Sequence, residues 1–257
     1  MSENGLDAFR LDGKVAVITG GSRGLGRAMA VGLASAGANV VIASRNRDSC
    51  VETAREITEA TGRVAEAIAC HVGRWDDCTA LFEEVLRRFG TADVLVNNAG
   101  MSPLFGTDLR DVTEELWSKV LAVNLGGPFR LSALFGAHMH DGAGGSIINI
   151  SSGAALHSTP DVLPYAAAKL GLHALTQGFA AAYGPNVRVN TIVAGRFLTD
   201  VSRSWDLEAL YALLHRFQPL QRAAQPEEII GTTLYLASQA SSFTTGAVIS
   251  VDGGAPL

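Results

Sequence analysis

Short β-branched runs, apolar from end to end and set between longer stretches of helical spacing, restrict this chain more than any other feature. "NVVIA" within residues 39–44 and "DVLVN" at residues 93–97 show no alternation between apolar and polar positions. A strand with one wet face must alternate, whereas a strand covered on both faces need not. The runs place strands at Val15–Thr19, Asn39–Ser44, Arg63–Cys70, Asp93–Asn97, Gly145–Ser151, Val187–Val193 and Ala247–Val251. Helical patterns fill the intervals, at Leu25–Ala36, Arg47–Thr61, Trp75–Phe89, Glu114–Met139, Tyr165–Tyr183 and Pro226–Ser238. This β-α rhythm implies a parallel seven-stranded sheet with helices on both faces, and right-handed crossovers favour a doubly wound α/β arrangement. No linker, repeat or low-complexity segment interrupts it, so residues 1–257 are expected to form one domain. Only residues 196–225 break the rhythm. They are expected to be largely helical and to cover the site as a lid. Phe197, Leu198, Trp205, Leu207, Leu210, Tyr211, Leu214 and Phe217 there either line a pocket or pack the lid onto the body.

Bulk properties exclude several roles. The net charge is −5, so no basic surface points to nucleic acid. No uninterrupted apolar run of about 18 residues occurs, so no membrane span is expected. The opening "MSENGLDAFRLDG" is polar and acidic, unlike a secretory leader. Cys50, Cys70 and Cys78 lack metal-ligand spacing and read as free thiols of a reducing cytoplasm, with no metal.

"TGGSRGLG" (residues 19–26) places four glycines directly behind a stiff strand. Glycine in an ordered element is disfavoured by roughly 0.5–1 kcal/mol relative to alanine. Following a strand and opening a helix, such a loop can bring backbone N–H groups to a pyrophosphate at the helix N-terminus. Gly20 suits the tight turn, Gly24 the close approach to phosphate, and Gly26 the packing of helix on sheet. No Lys-Ser or Lys-Thr follows, which excludes a P-loop. A purely structural βα turn is the alternative.

The chemistry lies further along. "YAAAK" sets Tyr165 and Lys169 at i and i+4 on one helix face. With four tyrosines and three lysines in 257 residues, about 0.05 such pairs arise by chance. Thirteen residues before Tyr165, at a strand end, is Ser152 in "IINISSG". "NNAG" (Asn97–Gly100) ends the fourth strand, and "VNLGG" carries Asn124. Strand ends of doubly wound sheets border the ligand crevice, so these groups converge on the glycine-loop edge. Tyr165 as core packing and Ser152 as a strand-end cap are the alternatives.

From residue 14 to residue 254 the chain resembles the single-domain short-chain dehydrogenases/reductases, similar to 3-oxoacyl reductases and gluconate-type dehydrogenases. The resemblance rests on "TGGSRGLG", "NNAG", "VNLGGPF", "INISSG", "YAAAK", "VRVN" and "TGAVISVDGG", in that order. It implies a Rossmann-like fold and a catalytic tetrad of Asn124, Ser152, Tyr165 and Lys169. It also implies a nicotinamide cofactor held by Gly20, Ser22, Arg23, Gly24, Leu25, Gly26, Ser44, Arg45, His71, Val72, Asn98, Ala99, Gly100, Tyr165, Lys169, Gly195 and Thr199. Tyr165 would protonate the carbonyl oxygen as hydride arrives, with its pKa, near 10 when free, drawn down by the Lys169 ammonium. Ser152 would hydrogen-bond the same oxygen. Lys169 would also hold the nicotinamide ribose, and Asn124 a water relaying protons to it.

NAD enzymes of this type carry an acidic residue at the end of the second strand. Here Ser44 and Arg45 stand there, with Arg23 in the glycine loop, so NADP(H) is expected over NAD(H). Two departures from the family pattern stand out. His71-Val72 replaces Asp-Val at the adenine, and Ala194-Gly195 replaces Pro-Gly after the sixth strand. His157, Leu156 and Leu163 are expected to edge the substrate pocket, His157 as a rim residue. The resemblance further implies a homotetramer built on the 114–139 and 165–183 helices and the last strand, acting on a small carbonyl or alcohol. A catalytically silent NAD(P)-binding sensor or scaffold is the alternative, to which an intact tetrad would be superfluous.

Overall fold

The computed structural model describes residues 5–103, 108–200, 202 and 206–255. Seven strands, β1 (Val15–Thr19), β2 (Asn39–Ser44), β3 (Ala65–Ala69), β4 (Val94–Asn97), β5 (Gly145–Ser152), β6 (Val187–Ala194) and β7 (Val248–Val251), form one sheet. The order is β3-β2-β1-β4-β5-β6-β7. Every pairing is parallel. The winding reverses between β1 and β4, where the chain leaves β1 in one direction and resumes in the other. The crevice therefore opens beyond the carboxyl ends of these two strands.

The helices are α1 (Gly24–Ser35), α2 (Arg47–Thr61), α3 (Trp75–Phe89), α4 (Glu114–Leu121), α5 (Gly127–Asp141), α6 (Leu163–Tyr183), α7 (Leu207–Phe217) and α8 (Ile230–Ala237). Two cores result. Ala16 and Ile18 of β1 face Met29, Leu33, Ile57 and Leu236, while Val17 between them faces the core of Leu81, Val85, Leu131 and Phe135. All five residues of β1 are buried. That two-sided burial explains the unbroken apolar run. Each such side chain contributes about 1.5–3 kcal/mol.

The expected Glu114–Met139 helix is interrupted. Ala122–Gly126 forms a π-helical turn between α4 and α5. The whole 114–141 stretch is long and apolar enough to cross a bilayer by length and composition, which a search for uninterrupted apolar runs does not register. Half of its apolar window is buried, against α3, α6 and β5. β3 is shorter than expected, and α7 is the one α-helix within residues 196–225 among the described residues. Trp205 lies outside the described residues.

A row of buried polar side chains crosses the sheet. Asn97 Nδ2 donates to Asn149 Oδ1 at 2.9 Å and to Ser132 Oγ at 3.0 Å. Asn149 Nδ2 donates to Thr176 Oγ1 at 2.9 Å, which lies 2.7 Å from Thr191 Oγ1. The row ties β4, β5, α6 and β6 together.

Candidate active site

The glycine loop turns at Gly20 with φ +64° and enters α1 at Gly24 with φ +52°. A Cβ at Gly24 would touch Thr199 at 3.4 Å, so it is the positive φ rather than crowding that calls for glycine there. At Gly26 an added Cβ would run into the Gly20 carbonyl and sit 2.5 Å from Asn98 Nδ2. The loop is thus folded too tightly onto α1 and the end of β4 to admit any other residue there. Thr19 Oγ1 accepts the N–H groups of Asn98 and Ala99 at 3.0 and 3.1 Å. Asn98 Nδ2 in turn donates to the carbonyls of Thr19 and Gly20 at 2.9 and 3.2 Å. The amide of Asn98 is therefore engaged with the loop itself, a latch that the motif "NNAG" alone does not reveal. Thr199 and Ser202 join Gly24, Ala28 and Pro226 around a cavity of about 340 Å³ at the start of α1.

At the end of β2, Ser22 Oγ donates to Ser44 Oγ at 3.1 Å. Arg23, the residue before α1, and Arg45 are both exposed. Neither forms an ion pair with a described residue, although eight other arginines do. Unpaired guanidinium groups beside a serine pair form a surface suited to a phosphate. After β3, the backbone N–H of His71 donates to Asp77 Oδ2 at 2.9 Å, and its ring accepts from Gly73 N–H at 3.2 Å. The Val72 side chain is buried in the core, so only its backbone could meet a ligand. Gly195 N–H donates to the Val251 carbonyl at 3.0 Å.

The tetrad residues gather at the ends of β4 and β5. Asn124 sits within the π-helical turn, fully buried. Its Nδ2 donates to the Met101 carbonyl at 2.8 Å and to the Val120 carbonyl at 3.0 Å, while its Oδ1 accepts from Met101 N–H at 3.2 Å. It clamps the chain leaving β4. Gly100 brings this clamp and Lys169 together, since a Cβ there would lie 2.9 Å from Asn124 Oδ1 and 3.5 Å from Lys169 Nζ.

Lys169 is 3% exposed and its Nζ donates to the Ile150 carbonyl at 2.8 Å. Among the described residues no carboxylate pairs with it, and burial lowers its pKa to about 8. Its ammonium lies 5.7 Å from the centre of the Tyr165 ring. Tyr165 is half-buried. Desolvation raises its pKa, against the smaller opposing effect of a hydrogen bond with Ser152. Without a bound dinucleotide, burial therefore outweighs the Ser152 hydrogen bond and favours the neutral phenol.

The structure also separates the two serines that end β5. Ser151 Oγ donates to the Lys169 carbonyl at 3.1 Å and lies 2.9 Å from His173 Nε2. Ser152 Oγ is directed instead to Tyr165 and the Ala154 N–H. His157, Leu156 and Leu163 are exposed, and none of them lines either of the two cavities among the described residues. The carbonyls of Ile150 and Met101 and the Ser151–His173 contact complete the arrangement. They carry no motif, because backbone acceptors leave no trace in residue identity. What the site can do chemically is deliver a proton from a phenol and a hydrogen bond from a hydroxyl to one oxygen atom.

Cys50, Cys70 and Cys78 are buried thiols. Among the described residues no group of three or more His, Cys, Asp or Glu side chains is placed to hold a metal ion.

Comparison with known proteins covers nearly the whole chain. The family profile described as enoyl-(acyl carrier protein) reductase matches residues 20–256. The short chain dehydrogenase/reductase astE of Aspergillus oryzae is 38% identical over 97% of both chains. A 3-oxoacyl-acyl-carrier-protein reductase of Chlamydia trachomatis is 38% identical over 94% of this chain and 96% of its own. The structure of a gluconate 5-dehydrogenase from Burkholderia cenocepacia, in complex with NADP and tartrate, superimposes with TM-score 0.92 at 36% identity, covering 98% of each chain.

Proposed function

The chain belongs to the short-chain dehydrogenase/reductase family of oxidoreductases acting on CH–OH and C=O groups, and we propose that it exchanges hydride between NADP(H) and a carbonyl or secondary alcohol, with Tyr165 as the acid/base. The observation that carries this reading is the joint placement of Ser152, Tyr165 and Lys169 at the open end of β5, beside a glycine loop that no side chain could fill.

The residues present fit a dinucleotide. Gly24 and Gly26 leave the backbone bare at the start of α1, and that helix terminus, with Ser22 and Leu25, would receive the pyrophosphate. Ser44, Arg23 and Arg45 would hold a 2′-phosphate, where no carboxylate stands to repel it. His71 and Val72 would border the adenine. Ala99, Gly100, Gly195 and Thr199 would border the nicotinamide, and Lys169 its ribose. Bound NADP(H) supplies or takes the hydride at the carbonyl carbon.

Tyr165, protonated at neutral pH, then gives its proton to the carbonyl oxygen, and in the oxidative direction takes it back. Ser152 orients that oxygen and disperses its charge. Lys169, titrating near 8, holds a positive charge near the phenol through most of the neutral range and favours the tyrosinate left behind. Asn124 fixes the chain that passes beside the lysine.

We place the protein in the cytoplasm as a homotetramer acting on a small molecule. Buried thiols suit a reducing compartment. Exposed Trp117, Phe129, Leu170 and Val248 on α4, α5, α6 and β7 suit burial between copies.

The test is NADPH oxidation over a panel of ketones, aldehydes and acyl thioesters, repeated with Y165F. Turnover should fall by about 10²–10⁴-fold while NADPH binding is retained. Comparable turnover by the phenylalanine variant would rule the mechanism out.

A further inference from the structure

A second cavity, of about 380 Å³, lies between the chain leaving β6 and one face of α7, and is lined by Arg196, Asp206, Ala209, Leu210 and Leu213. Its relation to the reacting groups follows from sheet register. Ala194 of β6 pairs with Ser152 of β5, so Arg196 is two residues beyond the partner of the candidate oxyanion donor.

The backbone at Arg196 is fixed from both sides. Ala224 N–H donates to the Arg196 carbonyl at 2.9 Å, Leu198 N–H donates to the Ala224 carbonyl at 2.8 Å, and Phe197 between them is 4% exposed. The side chain is free of such ties. No carboxylate among the described residues pairs with its guanidinium, although Asp206 lines the same cavity. Asp206 is otherwise engaged: its Oδ1 accepts the Ala209 N–H at 3.1 Å and caps α7. Leu210, partly buried, and Leu213, exposed like Arg196, supply aliphatic carbon to the same open cavity.

A forked, unpaired cation in a cavity that also offers aliphatic carbon suits a carboxylate carried on a short apolar skeleton, bound on the side of Arg196 away from the Asp206 cap. We propose that this cavity is the distal substrate subsite, and that the substrate is an oxo acid, or its hydroxy acid, whose carboxylate is remote from the carbonyl. Arg196 takes the carboxylate, Leu210 and Leu213 cover the intervening carbons, and the ketone oxygen lies towards Ser152 and Tyr165. This assignment of substrate class rests on the oxidoreductase reading above, but the anion site does not need it.

Two measurements separate the two. In the first, NADPH oxidation is followed with levulinate and with its methyl ester, which share a skeleton but not a charge, and with a longer oxo acid and its ester. The expected preference in kcat/KM for acid over ester is about tenfold or more. The ratio should collapse towards one in R196Q and be partly restored in R196K, which keeps the charge without the fork. In the second, no turnover is needed. Hexanoate should raise the thermal midpoint of the wild-type protein but not of R196Q, and hexanamide should raise neither.

Equal kcat/KM for acid and ester in the wild type overturns the subsite, as does an unchanged ratio in R196Q. So does a hexanoate shift that is absent from the wild type or equal in both proteins. If no ketone oxidises NADPH while hexanoate still stabilises only the wild type, the anion subsite stands and the redox reading falls.

Discussion

Replacing Lys169 with methionine isolates the energetic consequence of burying an ammonium without a counter-ion. The folded protein holds this group at 3% exposure with a hydrogen bond to the Ile150 carbonyl. Its pKa lies near 8 rather than the model-compound value of 10.5. Because the folded-state value is the lower one, the unfolded chain binds more protons between these limits, and stability rises with pH there. Below pH 8 the whole penalty is present. At about 1.4 kcal/mol per pH unit, it amounts to roughly 3 kcal/mol at neutral pH.

K169M removes that penalty but strands the Ile150 carbonyl, a loss of about 1–3 kcal/mol. The net change at pH 7 is therefore small, and the informative quantity is its slope. In urea titrations of both proteins, the advantage of K169M should stay constant from pH 6 to 7. It should then shrink progressively, by about 1 kcal/mol at pH 9 and by about 2–3 kcal/mol at pH 10. Titrating groups remote from Lys169 cancel in the difference, and Tyr165, the neighbouring phenol, is removed from it by making the same comparison in a Y165F background. Parallel curves across this range would refute the claim that the ammonium is buried and uncompensated. They would also leave the electrostatic support for the tyrosinate without foundation.

G26A should lower stability by about 1–3 kcal/mol through overpacking and weaken NADPH binding, read by thermal midpoint and fluorescence titration, because its Cβ has no room beside Gly20 and Asn98. S44D should shift the NADPH-to-NADH ratio of kcat/KM by about 10²-fold towards NADH, since a carboxylate placed there meets the 2′-phosphate; an unchanged ratio would move the phosphate elsewhere.

Much of this was legible from residue order. Continuous apolar runs announced strands buried on both faces, and β1, with every residue buried, is why that inference works. The "YAAAK" spacing brought Tyr165 and Lys169 together because a helix has only one way to space i and i+4. Other features were hidden for equally physical reasons. The π-helical turn at Ala122–Gly126 adds one residue to a turn without altering the apolar pattern enough to reveal it. The direction of the Tyr165 pKa depends on how far the phenol is desolvated and on its hydrogen bond with Ser152, neither of which residue identity records. The choice between Ser151 and Ser152 rested on family spacing alone, whereas in the fold their hydroxyls serve different partners. The division of labour at Asn98 emerged only once its amide could be seen latching the loop.

The chain of amides and hydroxyls from Asn97 to Thr191 has a mechanical implication. Sliding any one of its four elements by a single residue would maroon several dipoles in hydrocarbon at once, so the lateral alignment of the sheet behaves as a discrete setting and not as an adjustable one. The helix that bears the phenol and the ammonium is riveted into that alignment at Thr176, while α7 and the leucines it contributes are not. On the proposed subsite, reworking α7 to suit a different guest should accordingly leave the proton-transfer geometry undisturbed, so that selectivity and proton transfer would be tuned separately.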